Sequence, residues 1–190
     1  MITGHVTDGV GFVKNLEVNG VDVKGKKTVV LGAGGAATAI QVQLALDGVK
    51  EVAIFNVRDK FFDRAEGTKD KLAEKCPECV VTVNDLEDKE KLAEAVNNCD
   101  IVINATTMGM KPHDDISLID KSLYRKDLVV ADTVYSPEKT KMILEAEEAG
   151  CKAIGGKGML QQQGAVNYEL FVGKKMPLEE YNKFQAEQAK

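Results

Sequence analysis

At 190 residues and 44% hydrophobic content, the chain can build one sizeable core but is too short for two complete domains. Its 25 Lys and Arg against 30 Asp and Glu leave a net charge of −5, which offers no broad attraction to phosphate backbones or anionic lipid. Nucleic acid and membrane are therefore not expected partners. The N-terminal "MITGHVTDG" has neither the basic start nor the apolar run of a signal peptide, so a cytoplasmic protein is expected.

From Thr28 to Val172 short apolar runs alternate with amphipathic ones, the pattern of repeated βα units and a parallel sheet. "KTVVLGA" at 27–33 reads as a buried strand, and "GGAATAIQVQLALDG" as a helix stopped by Gly48. "EVAIFNV" at 51–57 is the next strand. A charged amphipathic helix over 60–75 leads to the strand "CVVTVND", then "KEKLAEAVNN" is a helix and "DIVINAT" at 100–106 a strand. "DLVVADTVY" is another strand. In "SPEKTKMILEAEEAG", Ser136 is the expected N-cap, Pro137 the first helical residue and Gly150 the stop. "CKAIGG" adds a last short strand and "MLQQQGAVNYELFVG" a helix. The tail "PLEEYNKFQAEQAK" is expected to form a helix with Leu178, Tyr181 and Phe184 on one side, packed on the domain.

"CPEC" at 76–79 is a C-x-x-C, a pair that can serve zinc or thiol exchange. No second such pair or His pair follows at zinc spacing, so a reduced thiol pair at a helix-to-strand turn is expected. His5 and His113 have no metal-like partner nearby in sequence, and no metal is expected.

"VVLGAGGAATAI" carries Gly32, Gly34 and Ala37 as a G-x-G-x-x-A between a strand and a helix. Gly32 permits the tight turn, Gly34 lets backbone N–H groups approach a pyrophosphate, and Ala37 lets helix and strand close up. The second strand should end beside the adenosine ribose at Asn56. Arg58 is a candidate for a 2′-phosphate, whereas Asp59 would repel that phosphate and accept from ribose hydroxyls. The two charges nearly cancel and leave NAD and NADP both open.

Several separated motifs together resemble the shikimate dehydrogenase family, particularly its quinate/shikimate branch. They are "GHVTDGVGF" at 4–12, "GAGGAA", "NATTMGM" at 104–110, "DTVYSPEKT" and "GKGMLQQQGA", in family order. The resemblance implies an α/β, Rossmann-like, doubly wound parallel sheet forming a single nucleotide-binding domain over 25–175. It makes 1–24 an interdomain segment with the T-D-G motif and 176–190 a helical tail. It further implies a separate substrate domain that this chain lacks, and a reaction of reversible hydride transfer between a nicotinamide and a ring alcohol or ketone of the shikimate or quinate class. On this reading the chain starts at the active site because the first domain is absent, and alone it is expected to be inactive.

By the same resemblance Asp8 is one member of a catalytic Lys/Asp pair whose lysine lies in the missing domain, and Gln163 holds a substrate hydroxyl. Cofactor contacts are implied at Gly32, Ala33, Gly34, Gly35, Ala36, Asn56, Arg58, Asp59 and Phe61. On the nicotinamide side they fall at Thr106, Thr107, Met108, Val134, Tyr135, Gly156, Met159 and Leu160. The chain departs from the family pattern at Val6, where Asn is usual, and at Gly155, where Asp is common. Val57 and Arg58 replace the arginine and hydroxyl residue of NADP-specific members, and "RDKFF" resembles the branch that accepts NAD. NAD is the expected cofactor, with NADP second. Rivals are a stand-alone dinucleotide-binding or regulatory module, and a Rossmann dehydrogenase for folate or amino-acid derivatives. Retention of both Asp8 and Gln163 favours the dehydrogenase of the resemblance. Assembly is left open, a homodimer included.

Overall fold

Residues 2–188 are described by the computed structural model of the chain. Met1, heading the 1–24 segment, and Ala189 and Lys190, ending the tail, lie outside the described residues. The strands are β1 (Lys27–Leu31), β2 (Glu51–Asn56), β3 (Val80–Asp85), β4 (Ile101–Asn104), β5 (Val129–Asp132) and β6 (Lys152–Ile154). Between and around them run α1 (Asp8–Val18), α2 (Gly35–Leu46), α3 (Phe62–Lys75), α4 (Lys89–Asn97), α5 (Lys141–Glu148), α6 (Gly156–Val172) and α7 (Leu178–Gln188).

All strands pair in parallel in the order β3-β2-β1-β4-β5-β6, a Rossmann-like, doubly wound sheet. Strand alternation explains the two layers. Val30, Ile54 and Ile103 join a core with α1, α2, α3 and α6, while Val29, Leu31, Phe55 and Val102 join a second core with α4 and α5. Phe12 and Leu16 on α1 are fully buried, and each contributes roughly 1.5–3 kcal/mol by leaving water. Thus α1, which precedes the first strand, is an integral part of the core. No helix among the described residues is long and apolar enough to cross a membrane.

Two sequence expectations change. The helix after β5 begins at Lys141 and is capped by Thr140, whose hydroxyl accepts from the Ile143 N–H, so Ser136 is not the cap and Pro137 not the first helical residue. The buried Asp132 carboxylate accepts from the same Thr140 hydroxyl at 2.6 Å and thereby fixes where the helix can start. Gly150 follows the helix end with φ +80°, as its stop role requires. The tail does form α7, held to α6 by a hydrogen bond from Gln161 to Asn182, with Leu178 half-buried but Tyr181 38% and Phe184 55% exposed, so its apolar side is only partly covered. Neither core cluster includes a tail residue, because α1 and α6 already cover that layer.

The α3-to-β3 turn carries Cys76 and Cys79 as free thiols, and burial pushes Cys79 up to about 11, away from reactivity.

Candidate active site

The sheet order reverses between β1 and β4, which leave β2 on one side and β5 on the other. Parallel sheets open a crevice at that point, beyond the carboxyl ends of the strands. The loops leaving β1, β2, β4, β5 and β6 carry the candidate cofactor residues, so the structure gathers them along one edge. From β2 to β5 this edge spans three strand spacings, roughly 14 Å.

At its centre Gly32 has φ +109°, and a Cβ there would lie 2.7 Å from the Ala105 carbonyl oxygen. Both facts demand glycine, and the β1 and β4 ends meet because of it. Gly34 is different. Its φ is −69°, and an added Cβ would meet nothing within 4 Å, so its missing side chain is not needed by the protein's own packing. It is the N-cap of α2, whose first N–H groups receive no side-chain cap. The turn therefore presents a bare helix N-terminus beside empty space, which suits a diphosphate. Ala37 is fully buried, as the third position of the motif requires. Gln41, also fully buried, donates to the Gly32 carbonyl at 2.9 Å and pins the turn from below. Sequence reading missed it because a glutamine in a helix normally faces solvent.

At the β2 end Asn56 is buried and its Nδ2 donates to Asp59 Oδ1 at 2.9 Å. The Phe61 N–H donates to the same oxygen at 2.9 Å, closing the loop on itself. Arg58 is exposed and its Nε donates to Asp85 Oδ2 at 2.6 Å. Phe61 is half-buried.

The β4 and β5 ends form one buried network. Asn104 Nδ2 donates to Asp132 Oδ1 at 3.0 Å and to the Met108 carbonyl at 2.9 Å, while its Oδ1 accepts from the Thr106 hydroxyl at 2.7 Å. Asp132 Oδ1 also accepts from the Val134 N–H at 2.8 Å. The loop of Thr106, Thr107 and Met108 is thereby tied to that of Val134 and Tyr135. Burial raises the Asp132 carboxyl above its ordinary range, opposed by the hydrogen bonds of Thr140, Val134 and Asn104. "NATTMGM" and "DTVYSPEKT" contain Asn104, Asp132 and Thr140, but their function is to shape backbone at a distance in sequence, and no local pattern announces that. Val134 is buried, and Tyr135 stands out 53% exposed.

The last loop closes against this one. A Cβ on Gly156 would lie 2.3 Å from the Thr133 carbonyl oxygen, so only glycine admits the approach. Buried Asn15 of α1 donates to the Gly155 carbonyl at 3.2 Å, and a Cβ on Gly158 would collide with its side chain. Met159 is buried and Leu160 is 47% exposed. On the next turns of α6, Gln163 Oε1 accepts from the Thr7 hydroxyl at 3.1 Å and from Asn167 Nδ2 at 3.0 Å. Asp8, next to Thr7 and half-buried at the head of α1, is thus held beside Gln163. A Cβ on Gly11 would fall 2.5 Å from that of Gln163, which explains the second glycine of "DGVG". Asn167 was missed because it lies beyond the motif.

A parallel sheet whose order reverses at β1 and β4 and a glycine turn opening onto a bare helix N-terminus define the Rossmann-like, nucleotide-binding domain class. Comparison with known proteins identifies the family. The model of the family described as Shikimate / quinate 5-dehydrogenase matches residues 15–132, and the chain belongs to it. The quinate/shikimate dehydrogenase of Escherichia coli O139:H28 is 47% identical over 179 residues, covering 94% of this chain and 62% of that protein. A shikimate 5-dehydrogenase from Listeria monocytogenes, solved with shikimate and NAD, superposes with a TM-score of 0.93 at 43% identity, over 96% of this chain and 63% of its own. A shikimate dehydrogenase solved with NADP+ matches with a TM-score of 0.78 at 34% identity, over 93% of this chain and 59% of its own. The chain thus spans about three-fifths of the length of these relatives.

Proposed function

We propose that this chain is the nucleotide-binding part of a quinate/shikimate dehydrogenase and that it binds NAD along the edge from Asn56 to Leu160. The observation that carries this reading is the space at Gly34, kept free of the protein's own atoms beside the uncapped start of α2. When bound, the dinucleotide supplies the hydride acceptor or donor. Backbone N–H groups of Gly34, Gly35 and Ala36 hold the diphosphate next to Ala33, while Asp59 accepts from the adenosine ribose. At the other end Val134, Tyr135, Gly156, Met159 and Leu160 shape the nicotinamide side, with Thr106, Thr107 and Met108 crossing over it.

Oxidation of a ring alcohol releases a hydride from carbon and a proton from oxygen. Asp8 acts on that proton together with the lysine that the resemblance places in a substrate domain. Gln163 holds a substrate hydroxyl, with Thr7 and Asn167 orienting its amide. Leu160, Tyr168 and Phe171 follow one another at helical spacing on α6 and are exposed, Phe171 by 88%. That apolar stripe supports a surface against which a substrate domain packs.

The test joins residues 1–190 to a substrate domain of this family. The combined enzyme is expected to oxidise shikimate or quinate with NAD, and Asp8→Asn should lower kcat by orders of magnitude while NAD affinity changes little. An Asp8→Asn enzyme of full activity overturns the proposal.

A further inference from the structure

Arg58 is the cation nearest in sequence to the ribose-reading end of β2, and its engagement elsewhere bears on which nucleotide is accepted. Its Nε donates to Asp85 Oδ2 at 2.6 Å, and its guanidinium carbon stands 4.8 Å from the centre of the Phe62 ring. Asp85 closes β3 and lies in register opposite Asn56, the last residue of β2. Its other oxygen, Oδ1, accepts from the Glu87 N–H at 3.0 Å. The carboxylate is therefore fixed at both oxygens, and only 21% of its side chain is exposed against 70% for Arg58. The backbone hydrogen bond from Glu87 and the Arg58 guanidinium keep Asp85 below the usual carboxylate range, so it is ionised at neutral pH.

Further charges at this corner include Asp59, Lys60 and Arg64, with Asp63 beside Arg64 and Glu87 near Asp85 in sequence. Asp59 Oδ1 is occupied by Asn56 and Phe61, while Lys60 and Arg64 lie over the Phe61 ring, at 5.1 and 5.0 Å from its centre. A 2′-phosphate arriving here would meet the Asp59 carboxylate, and Arg58, two residues past Asn56, is the arginine of this loop suited to pair with it bidentately. Arg58 has one strong anion already.

We infer that Asp85 is a specificity-determining residue, a positioning carboxylate that holds Arg58 on the β3 side of the loop and withholds it from a ribose 2′-phosphate. The selectivity for NAD over NADP is then set from β3, the strand paired with the one whose end carries Asn56. This inference rests on the proposal that the Gly32–Ala37 turn binds a nicotinamide dinucleotide.

The test measures NAD and NADP affinities of the 190-residue chain by calorimetric titration. Asp85→Asn keeps the shape of the side chain and its acceptor for Glu87 but gives up the charge. It should tighten NADP about tenfold and leave NAD within about twofold, and the gain should shrink as salt is raised. Asp85→Asn combined with Arg58→Ala should lose the gain, which separates release of Arg58 from simple loss of a negative charge. An unchanged NADP-to-NAD ratio in Asp85→Asn, or a gain that survives Arg58→Ala, overturns the inference while NAD binding itself stands. A folded chain that binds neither nucleotide refutes the cofactor proposal, and the role of Asp85 falls with it.

Discussion

Thr7 Oγ1 and Gln163 Oε1 lie 3.1 Å apart although 156 residues separate them in sequence. The single hydroxyl proton faces two acceptors, since Asn167 Oδ1 is 3.0 Å away as well. One short segment before the sheet is thereby joined to α6, and Asp8, the next residue, heads α1 beside that contact.

Removing that hydroxyl with Thr7→Val should cost about 1 kcal/mol of stability, read from urea unfolding, because a partly buried hydrogen bond is lost without a cavity. In residues 1–190 joined to a substrate domain of this family, the proposed roles of Gln163 and Asp8 predict that the same change raises the KM for the ring alcohol more than it lowers kcat. An equal loss in kcat and kcat/KM would place Thr7 in the chemical step instead.

The α1–α6 contact depends on missing side chains, and two glycines separate the effect. Gly11→Ala forces a Cβ to 2.5 Å from Gln163 Cβ and should destabilise by about 2–3 kcal/mol. Gly164→Ala, in the interior of the same α6 with nothing within 4 Å, should stabilise by about 0.5–1 kcal/mol through helix propensity. Urea midpoints of the two variants check both signs.

The strands and most helices were legible because the apolar runs are short and separated by charged amphipathic segments, which leaves little choice of layer. The glycine turn was legible for a local reason, the small residues demanded where strand meets helix. The start of α5 was not. Pro137 carries the usual signal for a first helical residue, but Thr140 gains a buried carboxylate partner in Asp132, and a tertiary contact outweighed local preference. Tyr181 and Phe184 are covered less than expected for the complementary reason: periodicity says which residues share a face and nothing about how much of that face a partner covers. Asp85 was silent in sequence because its partner Arg58 lies 27 residues away, Gln41 because a helical glutamine ordinarily faces solvent, and Asn167 because it stands one helical turn past Gln163, beyond the motif.

Two glycines of the turn should behave oppositely in the unliganded protein. Gly32→Ala places a side chain at φ +109° against the Ala105 carbonyl and should lower Tm by several degrees, corresponding to about 1–3 kcal/mol. Gly34→Ala should leave Tm within a degree or so, since its Cβ meets no protein atom within 4 Å, while weakening NAD by about tenfold or more if the proposed diphosphate lies against this turn. Thermal scans with and without NAD distinguish the two.

Asp132 gives stability a pH dependence whose sign is unusual for a carboxylate. Its folded value is raised, so the folded state holds the proton more tightly than the unfolded chain, whose Asp titrates near about 3.9. Its contribution is fully present below that unfolded value and is lost as pH rises through the raised folded value. Asp132→Asn should therefore flatten the fall in stability over that window, as urea midpoints across the acid range would record. A steeper fall in the variant would mean that the hydrogen bonds of Thr140, Val134 and Asn104 outweigh burial.

The most direct test of the account is a calorimetric titration of NAD into residues 1–190. The account predicts saturable binding by a folded chain at millimolar nucleotide or below, abolished or severely weakened by Gly34→Ala, with no reduction of the nicotinamide when shikimate or quinate is then added. A folded chain that gives no binding heat, or one that turns over either substrate unaided, would contradict it.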